Sequence, residues 1–156
     1  MATTSRVPAA VNALLALLKA APALAGVRIV DGPPSVNLTE RRVLYVGWQR
    51  GSDLAVSLEQ DFNAAGARTR DETFVIGGYI ESRSGDKDAA ALHRDRAFEI
   101  LAAVEDALRA TDAAPTAPTL NNTVLWAHIV TGDLFQEQSE GTLVGLNFSV
   151  ACRARI

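Results

Sequence analysis

Apolar and polar positions alternate most strictly in the stretch that closes the sequence. In "VGLNFSVACRARI", Val144, Leu146, Phe148, Val150, Cys152, Ala154 and Ile156 are apolar, and Gly145, Asn147, Ser149, Ala151, Arg153 and Arg155 between them are small or polar. Successive side chains of a strand point to opposite faces, so this period of two predicts a strand with one buried face and both arginines on the other. Near the start the period changes. Apolar residues at 11, 14, 15 and 18, behind Ser5 and Pro8, predict an amphipathic helix that Pro22 and Gly26 end. "VRIV" (27–30) reads as a short strand before a turn at "DGPP".

Further along, "RVLYVGW" from Arg42 is rich in strand formers, and Leu54, Val56 and Leu58 alternate onto one face, which predicts a hairpin around Gly51. "NAAGARTRDE" (63–72) is small, polar and charged and reads as an exposed loop. "TFVIGGYIES" resumes as a strand in which Gly77 and Gly78 mark a bulge or a close backbone approach. Between 86 and 110, Ala97, Leu101, Val104 and Leu108 recur at helical spacing, with Glu105 placed to pair Arg109 on the wet side. "GDKD" (85–88) ends the preceding strand, and Asp86 or Asp88 is expected to cap this helix. "TDAAPTAPT" is a stiff connector. Two strands follow, "TVLWAHIVTG" and the closing one, separated by the polar "DLFQEQSEG".

Two helices among five or six strands, without regular βαβ alternation, predict an α+β fold. The expected form is a largely antiparallel sheet with two helices packed on one face, a single pair of layers and one domain over 1–156. The 156 residues suffice for a real core, since a domain of this size buries about 68–70% of its unfolded surface. Composition adds little beyond that, with 48% hydrophobic and 21% charged residues, near the globular average.

Charge and cysteine content narrow the chemistry. Fifteen Lys and Arg against eighteen Asp and Glu leave a net charge of −3, so no overall basic surplus points to nucleic acid. The apolar run Val11 to Leu18 is far short of the ~20 residues of a membrane span. Residues 1–24 read as a helix and not as a cleaved leader, which implies synthesis in the cytoplasm. Cys152 is the only cysteine, so intramolecular disulfides and multi-cysteine metal sites are excluded, and its place on the apolar face marks it as a buried hydrophobe.

No Gly-x-Ser-x-Gly elbow, Walker loop or histidine pair on one helical face occurs, and neither a catalytic residue, a cofactor nor a metal is expected. His93 reads as a surface helix residue and His128 as a partly buried strand residue. The acids of "LEQD" (58–61) and "QEQSE" (136–140) read as solvated. "ARTRD" (67–71), with Arg68 and Arg70, and "ESRSGDK" (81–87) are the basic loops and could meet an acidic partner. Trp48, Tyr79 and Phe135 are anchors of either a core or an interface. Phe135 is the best interface candidate, because "GDLFQEQ" offers no apolar stripe to bury it.

The order of elements, with "AGVRIVDGPP" after the first helix, one long central helix and the terminal pair "LWAHIVTGDLFQEQSEGTLVGLNFSVACRARI", resembles the tail terminator (tail completion) proteins of long-tailed bacteriophages. The alanine- and arginine-rich composition is similar to members from phages of actinobacterial hosts. The resemblance covers nearly the whole chain and rests on order, size and the closing "G…L…F.V..R" pattern, without an active-site signature. It implies a structural virion protein, made in the host cytoplasm, that closes into a hexameric ring at the head-proximal end of the tail tube. That ring stops tube polymerisation and joins the tail to the head connector. The implied partners are further copies of the chain, the tail tube protein and the connector or neck protein, with DNA passing through the lumen without sequence-specific binding and no membrane contact.

On that reading Arg153 and Arg155 are expected to pair with acids of an adjacent subunit or the tube, ordinary solvated arginines being the alternative. Residues 49–72 are expected to form a projecting hairpin that docks on the tube. A neck or head-closure ring protein is the second reading. A small enzyme with a site around His93 or His128, or a cellular ligand-binding module, stands further off.

Overall fold

The computed structural model describes residues 4–34, 39–66 and 68–156. Residues 1–3 of the expected N-terminal segment and Ala67 of the expected loop lie outside the described residues. The fold is α+β, with helices α1 (Val7–Ala20) and α2 (Ala90–Ala107) and strands β1 (Arg28–Asp31), β2 (Arg42–Val46), β3 (Val56–Phe62), β4 (Arg70–Ser84), β5 (Trp126–Gln138) and β6 (Thr142–Arg155). The strands form one sheet in the order β1-β2-β4-β6-β5, with β3 alongside β4. Every pairing is antiparallel except β1 with β2.

β4 is the spine. Along one edge it pairs with β6 from Asp71↔Arg155 to Ser84↔Thr142. Along the other edge its first half pairs with β3 and its second half with β2. The expected hairpin between β2 and β3 is therefore corrected: the two strands lie end to end on β4 and do not pair with each other. The chain leaves the sheet at Gly47, whose N–H donates to the Gly77 carbonyl, and returns at Ala55, whose carbonyl accepts from the Gly77 N–H. Gly51 does make a tight turn, with φ of 81°.

Alternation decides what each face carries. Phe74, Ile76 and Ile80 of β4, Leu44 and Val46 of β2 and the even-numbered residues Val144 to Ala154 of β6 are buried in one apolar cluster. Leu14, Leu15 and Leu18 of α1 and Ala97, Ile100 and Val104 of α2 belong to the same cluster. Gly78 is required there because a Cβ would sit 2.2 Å from the Phe148 ring. The bulge falls elsewhere, in β5 between Ile129 and Thr131. Odd-numbered residues make the opposite face, where Tyr45 and Tyr79 stack at 5.9 Å and Trp48 meets both edge-on.

Several expectations are corrected by contacts that local sequence does not carry. The segment 63–72 is not all loop, because β4 begins at Arg70. Glu72 is fully buried, accepting from the Arg6 backbone N–H at the start of α1 and from Gln60 Nε2. A carboxylate there meets the positive end of the α1 dipole. Neither Asp86 nor Asp88 caps α2, since Ala89 holds that position without a side-chain bond. Thr142 ties the segment down instead, donating to the Asp86 carbonyl and accepting from the Ala89 N–H. "DLFQEQ" is strand, so Phe135 lies inside β5.

The histidines exchange their expected roles. His93 is buried on α2, its Nδ1 2.7 Å from Ser82 Oγ and its Nε2 2.9 Å from Ser84 Oγ. His128 is exposed on β5, its ring 4.8 Å from Trp126. Burial holds His93 below its ordinary value of 6.5, and Arg96 adds to the effect. The unfolded chain therefore takes up a proton first as the pH falls through the ordinary histidine range, and stability present above that range is lost below it.

Two outcomes test this packing. Gly78→Ala is expected to lower the urea unfolding free energy by about 1–3 kcal/mol, as overpacking does. Gly85→Ala, where nothing lies within 4 Å of a new Cβ, should stay within about 0.5 kcal/mol of the parent. In thermal scans the unfolding midpoint should fall between about pH 7.5 and about pH 5.5, and His93→Gln should flatten that dependence. An unchanged slope in the variant would assign the proton to another group.

Candidate interface site

The five residues singled out from sequence do not converge on one spot. Arg153 and Arg155 point to the odd-numbered face at one end of the sheet. There β4 begins, and Asp71 lies directly opposite Arg155. Arg153 Nη2 donates to Asp71 Oδ2 at 2.8 Å and Arg155 Nε to Oδ1 at 2.9 Å, while Asn63 also donates to Oδ1. The acid expected from a neighbouring subunit is thus supplied within the chain, because β4 starts early enough to place Asp71 in the ladder. The Arg155 and Arg153 hydrogen bonds pull the Asp71 carboxyl down to about 2. This network is partly solvated and is a local staple between two strands.

Phe135 occupies the same face nearer the other end, opposite Gly145. Gly145 leaves room for Tyr79, whose hydroxyl would lie 2.3 Å from a Cβ there. Burial, with the Glu81 charge beside it, pushes the Tyr79 phenol up. The Arg50 guanidinium lies over the Phe135 ring at 5.1 Å and pairs with Glu137. Phe135 is therefore half-covered by its own chain, and its expected interface role is reduced to what its remaining exposed surface offers.

Arg50 belongs to the excursion between β2 and β3, which folds back as a strap across the sheet. Asn147 grips it from below, accepting from the Arg50 N–H at 3.0 Å and donating to the Arg50 carbonyl at 3.0 Å. Gln49 donates to the Phe148 carbonyl and to Ser149 Oγ, and its side chain fills the space above Gly77. The first part of the expected projecting segment 49–72 is thus fixed to the sheet, and only the β3–β4 hairpin extends from it. Asp71, Gln49, Arg50, Glu137 and Asn147 were missed at the sequence level. For Asp71 the sequence holds no local signal, since "RDE" is charged throughout and shows no alternation.

Arg70 has the parity of Glu72 and Phe74, so it faces away from Arg153, and its Nη1 donates to Gln60 Oε1 at 2.9 Å. Arg68 is exposed in the hairpin tip. Around it the hairpin carries uncovered apolar side chains: Phe62 is 68% exposed, Leu58 47%, and Leu54 just before β3 66%. A second set, Trp126, Val130 and Leu134, lies on β5. β5 has a ladder only with β6, and β3 only with β4, so each leaves a bare edge among the described residues.

Other surfaces offer less. An open groove of about 300 Å³ between the ends of α1 and α2 is lined by Ala20, Pro22, Ala103, Ala107, Ala113 and Ala114 among others. Cys152 is buried and its thiol is pushed up to about 12. No described helix is long and apolar enough to cross a membrane. Among the described residues no three His, Cys, Asp or Glu side chains gather closely enough to hold a metal ion.

Carboxyl titration by NMR should place Asp71 near 2 in the parent and close to 3.8 once Arg153 and Arg155 are both changed to Gln, with the staple's stability lost as the pH falls through the lower value. No family model matches the chain, and comparison with curated proteins finds no match.

Proposed function

We propose that the chain is a structural subunit of a phage tail, of the tail terminator type. It forms a ring on the head-proximal end of the tail tube, stops tube growth and presents a surface to the head connector. The observation that supports this reading best is the disposition of uncovered surface. Among the described residues one sheet carries bare edges at both sides, and a separate hairpin projects from it with Leu58, Phe62 and Arg68 exposed. A subunit of a closed ring on a tube needs surfaces of these kinds: two for its neighbours and one for the tube beneath.

The candidate chemistry also has a structural account. His93 is occupied by two serines, Asp71 by two arginines and Glu72 by the start of α1. On this reading the β3–β4 hairpin is the tube-docking element, with Phe62 and Leu58 as its apolar anchors. The strap that fixes the base of the hairpin gives it a set direction.

The test is the mass of purified protein by light scattering, alone and with tail tube protein, together with tube length by electron microscopy. Ring-sized particles that limit tube length support the reading. Phe62→Ser with Leu58→Ser, both at exposed positions, should leave a folded protein whose capping is reduced at least tenfold. Binding to connector proteins with indifference to tubes would favour a neck protein. A monomer indifferent to both would overturn the assignment.

A further inference from the structure

β3 carries a row of backbone groups that the fold does not use. In an antiparallel ladder, directly opposite pairs alternate between those that exchange hydrogen bonds and those that do not. The two ends of the β3–β4 ladder show which are which. The Gly77 N–H donates to the Ala55 carbonyl at 3.0 Å, and the Asn63 N–H donates to the Thr69 carbonyl at 3.4 Å. With Val56 opposite Ile76 and Phe62 opposite Arg70, it is Ser57, Glu59 and Asp61 that bond to β4. Val56, Leu58, Gln60 and Phe62 turn their N–H and carbonyl groups the other way, toward an edge with no partner strand among the described residues.

The two faces along this edge differ in charge. Leu58 and Phe62 share the face of Phe74 and Arg70. Arg70 occupies the row of Phe62 and bonds only to the neutral Gln60 side chain, and Arg68 is exposed at the tip. Neither arginine forms an ion pair among the described residues. Glu72, on the same face, is buried and already bound to the Arg6 N–H and to Gln60, and α1 holds no acidic residue. The uncovered side chains here are thus apolar or cationic. On the reverse face Glu59 and Asp61 are exposed acids without an ion pair among the described residues.

A bare edge of this length is a template for another chain unless something guards it, and β3 contains neither proline nor lysine. Its acids guard it against one occupant. Full antiparallel overlap of two β3 edges would set Glu59 directly against its own counterpart in a second copy, and like charges placed opposite each other destabilise a sheet. An extended segment of a different protein meets no such conflict when its side chains suit both faces. Apolar and acidic ones fit beside Leu58, Phe62 and the two arginines, and basic ones fit beside Glu59 and Asp61. In strand addition of this kind the main chain supplies the affinity and the alternate side chains select the partner.

We propose that the tail tube protein docks by adding an extended segment as a strand to the outer edge of β3. That segment carries apolar and acidic side chains toward Leu58, Phe62, Arg68 and Arg70, and basic ones toward Glu59 and Asp61. This inference rests on the docking role given to the hairpin above and specifies how the hairpin holds the tube. The outward groups of Val56, Leu58, Gln60 and Phe62 then gain partners, and Leu58 and Phe62 are covered by the apolar side chains of the added strand.

Hydrogen–deuterium exchange of the full chain, alone and bound to tubes of the tail tube protein, reads the contact directly. Alone, the amides of Val56, Leu58, Gln60 and Phe62 should exchange about tenfold or more faster than those of Ser57, Glu59 and Asp61, and on tubes they should slow by about the same factor. A form with Glu59→Lys and Asp61→Lys, both at exposed positions, should fold by circular dichroism and need about tenfold more protein to cap tubes. Capping by the parent with the outward amides still exchanging freely would overturn the added strand and leave docking through side chains standing. Slowing of the same amides in concentrated protein without tubes would assign the edge to a second copy and overturn the inference as well. Parental capping by the Lys-bearing form would overturn the basic face given to the partner. Failure of the parent to cap tubes would remove the terminator reading itself.

Discussion

The continuous ladder between β4 and β6 is the constraint on which the other parts depend. Both strands are paired on both sides, and their even-numbered residues carry most of the sheet's contribution to the core. A one-residue slip of β6 against β4 would bring Arg153 and Arg155 onto the apolar face and turn Phe148 and Val150 away from it, which burial forbids. The register then fixes everything attached to it. Gly78 lies where Phe148 needs room, Gly145 where Tyr79 does, and Asp71 where two arginines can reach it.

The two ends of β4 are used differently. At Gly77 its outer edge changes partners from β3 to β2, and the chain between those partners is released to cross the sheet as the strap. The strap is held by Gln49 and by Asn147, which satisfies both polar groups of the Arg50 backbone, an arrangement that leaves little freedom for the segment they anchor. Rigid attachment of the hairpin and uncovered edges on the sheet are therefore products of the same topology, in which one long strand serves two shorter ones on one side.

What the sequence revealed follows the range of the interactions involved. The alternation in β6 and the helical spacing of Leu14, Leu15 and Leu18, or of Ala97, Val104 and Leu108, are local patterns that burial then matches. The α+β class followed from them. Partners distant in sequence were less legible. Nothing near His93 signals that Ser82 and Ser84 of another element would enclose it, and nothing near Glu72 points to the start of α1. The polar segment around Phe135 reads as a turn because an edge strand needs only one apolar face, and in β5 even that face is partly bare. Of the candidate site, Arg153 and Arg155 were correctly placed on one side of their strand. Their partner was not, since it lies at a boundary where loop and strand have similar composition.

The same ladder also sets an order of events during folding. Between β4 and its central neighbour come α2, the connector and the whole of β5, and the sequence separation widens from the Ser84–Thr142 pair to the Asp71–Arg155 pair. Such distant closure is entropically expensive and slow compared with helix formation. As the chain emerges during synthesis, β2 and β3 can find β4 early, but the apolar face of that half-sheet must wait for β6 before it is complete. A nascent chain of this topology spends that interval with Phe74, Ile76 and Ile80 short of their final neighbours, which makes the moment of β6 docking, more than any earlier collapse, the step that commits it to the native state.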